Sequence, residues 1–171
     1  MITKQDLQTL YQWAKNNQVY YRTAPTAEGY SNKPISYCWV KGESVSKCGN
    51  SVVKYIRKKI IKNIEVENIY DNSEIIFSMF AAFDAGTELG PHRDPNIYRE
   101  PYKRIQIPLE IPEKDKCYMI WGGERVHWNE GEPKVFEVMD YIHEGYNYSH
   151  SAMKFLMVDV KKSTEVELIN N

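Results

Sequence analysis

The feature that most constrains this chain is a change of apolar period just after Asp71. Before it apolar residues recur at helical spacing, and after it they follow the shorter period of strands. Strands are expected at residues 74–83, 103–109, 117–121, 125–128, 134–138 and 154–160. Turn-forming segments at 84–86, 122–123 and 129–131 separate them. Several short strands in series without intervening helices argue for a jelly roll or small barrel, in a mainly β protein with N-terminal helices.

Ahead of the strands, Thr3 can cap a helix with Asp6 answering as a capping box, and Leu7, Leu10, Tyr11 and Ala14 fall on one stripe. Residues 20–49 are irregular and rich in Gly, Pro, Ser and Asn, with only 35–40 resembling a strand. A second helix is expected from Asn50 or Ser51. Val52, Val53, Ile56, Ile60 and Ile64 repeat at helical spacing there, while Lys54, Arg57, Lys58 and Lys59 form a solvated face. The chain of 171 residues is long enough for one core-bearing domain. Residues 1–70 are read as a helical part packed on a barrel core at 71–162.

Charge excludes some functions. The 22 basic and 23 acidic residues leave a net charge of -1, which gives no footprint for nucleic acid or an anionic membrane. No apolar run approaches the roughly 18 residues of a membrane span, and the first residues lack the apolar core of a signal peptide. Cys38, Cys48 and Cys117 are odd in number and far apart, so neither a disulfide framework nor a CxxC clip is indicated. A reducing, cytoplasmic-type compartment is expected.

The informative segment is Gly86-Thr-Glu-Leu-Gly-Pro-His-Arg-Asp-Pro95. On extended backbone, residues two apart point to the same side, so His92 and Asp94 can reach one ion. Pro95 biases Asp94 away from helical geometry, and Pro91 stiffens the approach to His92. One HxD is a weak signal, since a His beside an Asp is more often a surface pair. A second segment, His143-Glu-Gly-Tyr-Asn147, follows 49 residues after Asp94. Two imidazoles and one carboxylate make a 2-His-1-carboxylate triad with one face of the metal open. Iron(II) suits that set, although zinc accepts the same ligands. His127 and His150 are read as structural or solvent-facing, and Trp121 and Trp128 as core or pocket wall.

From about Phe77 to Val160 the sequence resembles the aspartyl/asparaginyl β-hydroxylases, within the iron(II)- and 2-oxoglutarate-dependent oxygenases. The resemblance rests on the HxD segment and on Arg104-Ile-Gln-Ile-Pro-Leu109. It continues through Trp128-Asn-Glu-Gly131 with Val135-Phe136, and through His143-Glu-Gly-Tyr-Asn147 ending in Leu156-Met-Val-Asp159. It implies a double-stranded β-helix (cupin-like jelly roll) with iron held by His92, Asp94 and His143. It also implies oxidative decarboxylation of 2-oxoglutarate with O2, coupled to hydroxylation of an aspartyl or asparaginyl side chain in a protein or peptide, or of a related small molecule. Arg104 matches the arginine of the family's Arg-x-His motif and would orient the cosubstrate. On one strand face it is joined by Gln106, while Ile105, Ile107 and Leu109 pack on the other.

The departures concern the cosubstrate. Gln106 replaces the motif histidine, and Met153 stands where an arginine usually follows the second metal histidine. Lys154 is adjacent but faces the wrong side of a regular strand, and a bulge could turn it inward. The retained Asp94 argues against a halogenase. Residues 20–49 and 96–102 are candidates for substrate recognition. The competing reading is a non-catalytic or zinc-binding cupin-like module.

Overall fold

A computed structural model describes residues 1–17, 22–23, 30–42, 61–96, 98 and 100–168. Within these, helix α1 runs over Lys4–Asn16 and helix α2 over Ile64–Asp71. The strands are β1 Arg22–Thr23, β2 Ser36–Lys41, β3 Ile75–Phe83, β4 Thr87–His92 and β5 Tyr102–Glu110. They continue as β6 Cys117–Trp121, β7 Glu124–His127, β8 Lys134–Phe136, β9 His143–Asn147 and β10 Met153–Lys161.

Helix α1 starts as its sequence predicts. The Thr3 side chain accepts from the Asp6 backbone N–H, and Asp6 accepts from the Thr3 backbone in return. Leu7, Leu10 and Ala14 are buried, and Trp13 joins them, while Tyr11 is half-buried. Most of the helix predicted from Asn50 lies outside the described residues. Its last expected position, Ile64, instead opens α2, which Asn63 starts by accepting from the Glu65 and Val66 backbone.

The strands form two antiparallel sheets. The larger has the order β1-β2-β3-β10-β5-β8 and the smaller β4-β9-β6-β7. From β3 onward the chain alternates between sheets at most connections, leaving only β6 and β7 as a hairpin within one. This interleaved order is the double-stranded β-helix. Gly122 and Gly123, both at positive φ, supply the two-residue turn of that hairpin.

Period-2 alternation divides the core in two. Phe80 of β3, Ile105 and Ile107 of β5, and Leu156, Val158 and Val160 of β10 pack against Leu7, Leu10, Val66 and Tyr70 of the helices. The opposite faces of the same strands carry Phe77, Met79, Met153, Phe155 and Met157 into the barrel, where they meet Met119 and Trp128. A strand covered on both faces needs apolar residues throughout, and β3 and β10 read as near-continuous apolar runs. The two buried polar residues on these strands are Ser78, bonded to the Tyr70 hydroxyl (3.0 Å), and Asp159.

Candidate metal centre

The two histidines sit on neighbouring strands of the smaller sheet. His92 ends β4, His143 begins β9, and they are cross-strand partners. The register shifts between Leu89 and His92, where Gly90 and Pro91 form a bulge, so His92 is re-aimed at the barrel mouth. Asp94 follows two residues later, its backbone N–H donating to the Val138 carbonyl at 2.9 Å.

Each imidazole is fixed by its own backbone. His92 Nδ1 lies 2.7 Å from the Gly90 carbonyl, and His143 Nδ1 lies 3.0 Å from that of Tyr141. A carbonyl accepts only, so both Nδ1 atoms carry the hydrogen and both Nε2 atoms present lone pairs. Those lone pairs converge on Asp94 Oδ1, at 3.5 Å from His92 and 3.4 Å from His143. The three ligand atoms lie within 4.8 Å of one another. Among the described residues, this donor set fits a divalent metal. Tyr30 stacks on His92, with ring centroids 4.1 Å apart, and Trp121 flanks His143.

The second oxygen of Asp94 is held by protein. Arg104 Nη1 donates to Oδ2 at 2.6 Å, while its Nε and Nη2 donate to the two oxygens of Asp159 at 2.7 and 2.8 Å. Tyr98 donates to Asp159 at 2.8 Å. Burial works against the Asp94 charge, but the Arg104 guanidinium overrides it and holds this carboxyl well below the usual range. Arg104 likewise stays charged despite burial, between Asp159 and Asp94.

The structure brings His92, Asp94, His143, Arg104 and Gln106 around one cavity of about 90 Å³. Lys154 is not among them. A register shift does lie between Lys154 and Phe155, yet the side chain turns outward, with Nζ 2.7 Å from Glu110 Oε2. The alternation that puts Met153, Phe155 and Met157 inside sends Lys154 to the other face. His127 bonds the Lys114 carbonyl and His150 bonds Glu113, both away from the centre.

Sequence reasoning assigned no role to Asp159 and placed Tyr98, Tyr30 and Tyr37 only within segments expected to recognise substrate, although all contact or line this centre. Asp159 carried a usable signal. An acid inside the apolar run Phe155–Val160 requires a buried partner, and Arg104 is its cross-strand neighbour.

A double-stranded β-helix with two histidines and an aspartate converging in its mouth defines a cupin-like barrel with a candidate metal centre. Residues 35–163 match the model of the aspartyl/asparaginyl beta-hydroxylase family, and the chain belongs to that family. Among solved structures, an oxidoreductase of the 2OG-Fe(II) oxygenase family from Burkholderia pseudomallei aligns with a TM-score of 0.56 at 10% identity. The alignment covers 96% of this chain and 82% of that one, and at such identity the likeness is one of fold. A cupin 2 conserved barrel domain protein from Rhodopseudomonas palustris aligns with a TM-score of 0.49 at 10% identity over 87% and 75% of the two chains. The Schizosaccharomyces pombe Cnp3 cupin domain aligns with a TM-score of 0.49 at 6% identity over 85% and 71%. No curated protein matches in sequence. Among the described residues, no helix is long and apolar enough to cross a membrane.

Proposed function

We propose that the chain is an iron(II)-dependent oxygenase that consumes a 2-oxo acid and O2 to hydroxylate an aspartyl/asparaginyl-type side chain or a related small molecule. The observation that carries this reading is the pinning of both imidazoles through Nδ1, which aims two Nε2 lone pairs and one carboxylate oxygen at a common point. Bound iron(II) would couple O2 to decarboxylation of the 2-oxo acid, releasing CO2 and placing one oxygen atom in the shortened acid and one in the substrate.

The chain's own residues supply position and dryness. Arg104 occupies Asp94 Oδ2 and so leaves Oδ1 for the metal. Tyr30 covers one face of His92 and limits water there. Of the five guanidinium N–H groups of Arg104, three are used by Asp94 and Asp159, so two remain for the carboxylate at the keto end of the cosubstrate. The family's cosubstrate is expected to be 2-oxoglutarate. Its keto acid head suits this mouth, but apart from Arg104 its far carboxylate meets no Lys or Arg in the described cavity wall.

The test is anaerobic addition of iron(II) and a panel of 2-oxo acids, 2-oxoglutarate included. A visible charge-transfer band should appear on binding, and the shortened acid should form when air is admitted. An Asp94→Ala variant should lose iron affinity and turnover together. If the protein holds zinc and no 2-oxo acid gives a band or heat, the zinc-binding module is the correct reading.

A further inference from the structure

The cavity beside the metal centre is lined in large part by Phe83, Met119, Trp128, Met153, Phe155 and Met157, all buried. The charged and metal-ligating groups among the described lining residues, Asp94, Arg104, Glu144 and the two imidazoles, belong to or adjoin the centre. Arg104 is the one Lys or Arg among the described lining residues, and Asp94 and Asp159 fix it at the metal end. Glu144 adds a negative charge.

The one side-chain amide among the described lining residues is Gln106, whose Oε1 accepts from Trp128 Nε1 at 3.1 Å. That bond leaves a neutral Nε2 donor toward the cavity. On β10, the inward positions that could carry a cation hold Met153, Phe155 and Met157, and Lys154 points away. A carboxylate buried against such a wall loses its hydration without gaining a counter-charge. An apolar tail is favoured there, and three thioethers adapt readily to its shape.

We propose that the 2-oxo acid taken by this site has an uncharged, apolar tail, of the branched-chain or thioether class, in place of a second carboxylate. The inference rests on the reading of the centre as 2-oxo-acid-dependent. The overall step balances in the same way: 4-methyl-2-oxopentanoate, O2 and a C–H substrate give 3-methylbutanoate, CO2 and the alcohol.

The full chain is loaded anaerobically with iron(II) and titrated separately with 4-methyl-2-oxopentanoate, 4-methylthio-2-oxobutanoate and 2-oxoglutarate. Binding is read by calorimetry and by the charge-transfer band. At least one apolar acid should bind about ten-fold or more tighter than 2-oxoglutarate. Equal or tighter binding of 2-oxoglutarate overturns the inference while the oxygenase reading stands. If iron(II) binds but none of the three acids does, the 2-oxo-acid reading itself fails and the inference falls with it. A Met153→Arg variant, or Met153→Lys if the larger side chain prevents folding, should shift the preference toward 2-oxoglutarate by about ten-fold or more. A folded variant with unchanged iron(II) affinity and an unchanged ranking counts against the tail assignment.

Discussion

Asp159 shows how one residue can serve a metal centre without touching it. It lies on the strand beside Arg104 and takes two of the guanidinium's N–H groups, which fixes the guanidinium so that a third is presented to Asp94. Such outer partners orient metal ligands, and their loss typically costs about 10–100-fold in metal affinity. An Asp159→Asn variant keeps the shape but removes the charge and one acceptor. Its cobalt(II) affinity, followed by the visible absorption of the bound ion, should fall by about 10–100-fold. The metal-free variant should also lose about 3 kcal/mol in urea unfolding, because a buried charge has lost a partner. Tyr98→Phe removes one hydrogen bond to Asp159 and should cost only about 1 kcal/mol. Unchanged cobalt(II) affinity in Asp159→Asn would show that Asp94 needs no orientation from Arg104.

Among the elements, the strands that carry the metal ligands were the hardest to read. The expected strands at 74–83, 103–109 and 117–121 lie within two residues of β3, β5 and β6, because alternating or continuous apolar residues fit two covered faces. Strands β4 and β9 have no such pattern. Gly90 and Pro91 interrupt the first and Gly145 the second, and pairing with each other and with β6 makes them strands. The ligands were legible through residue type and spacing, whereas Arg104's partners depend on a cross-strand register that no local pattern shows.

The entry to β6 offers a pH test at this scale. Glu113 precedes a single 3-10 turn, Lys114–Lys116, and accepts from Lys116 and then from His150 in the turn between β9 and β10. These contacts, with the lysine first, lower its pKa from the ordinary 4.5 to about 2. A depressed pKa means that the folded form binds this proton more weakly, so the contribution is full above pH 4.5 and is lost as pH falls toward 2. Carbon-13 NMR of the Glu113 carboxyl should titrate with a midpoint near 2, and a midpoint in the ordinary range would show that these contacts do not persist in solution.

Across the whole molecule, strand β10 belongs to two cores at once. Leu156, fully buried, faces Phe80 and Ile107 on the helix side, while Phe155 and Met157 on either side of it face the cavity. The histidines stand on the other sheet, beyond the barrel interior. Removing Leu156 therefore damages the helix-facing core without moving a metal ligand. A Leu156→Ala variant should lose about 3 kcal/mol of unfolding free energy, within the usual range for a leucine truncated in a well-packed core. Most domains keep enough of their roughly 5–15 kcal/mol to remain folded after such a loss. Its cobalt(II) affinity should stay within about two-fold of the parent, since sites without shared partners behave additively. Asp159, three residues along the same strand but on the opposite face, should give the reverse emphasis, with metal affinity falling more steeply than packing alone explains. If Leu156→Ala instead lowers metal affinity about ten-fold while the protein stays folded, the two faces of β10 are coupled, and the helical layer has to be counted as part of the metal centre's support.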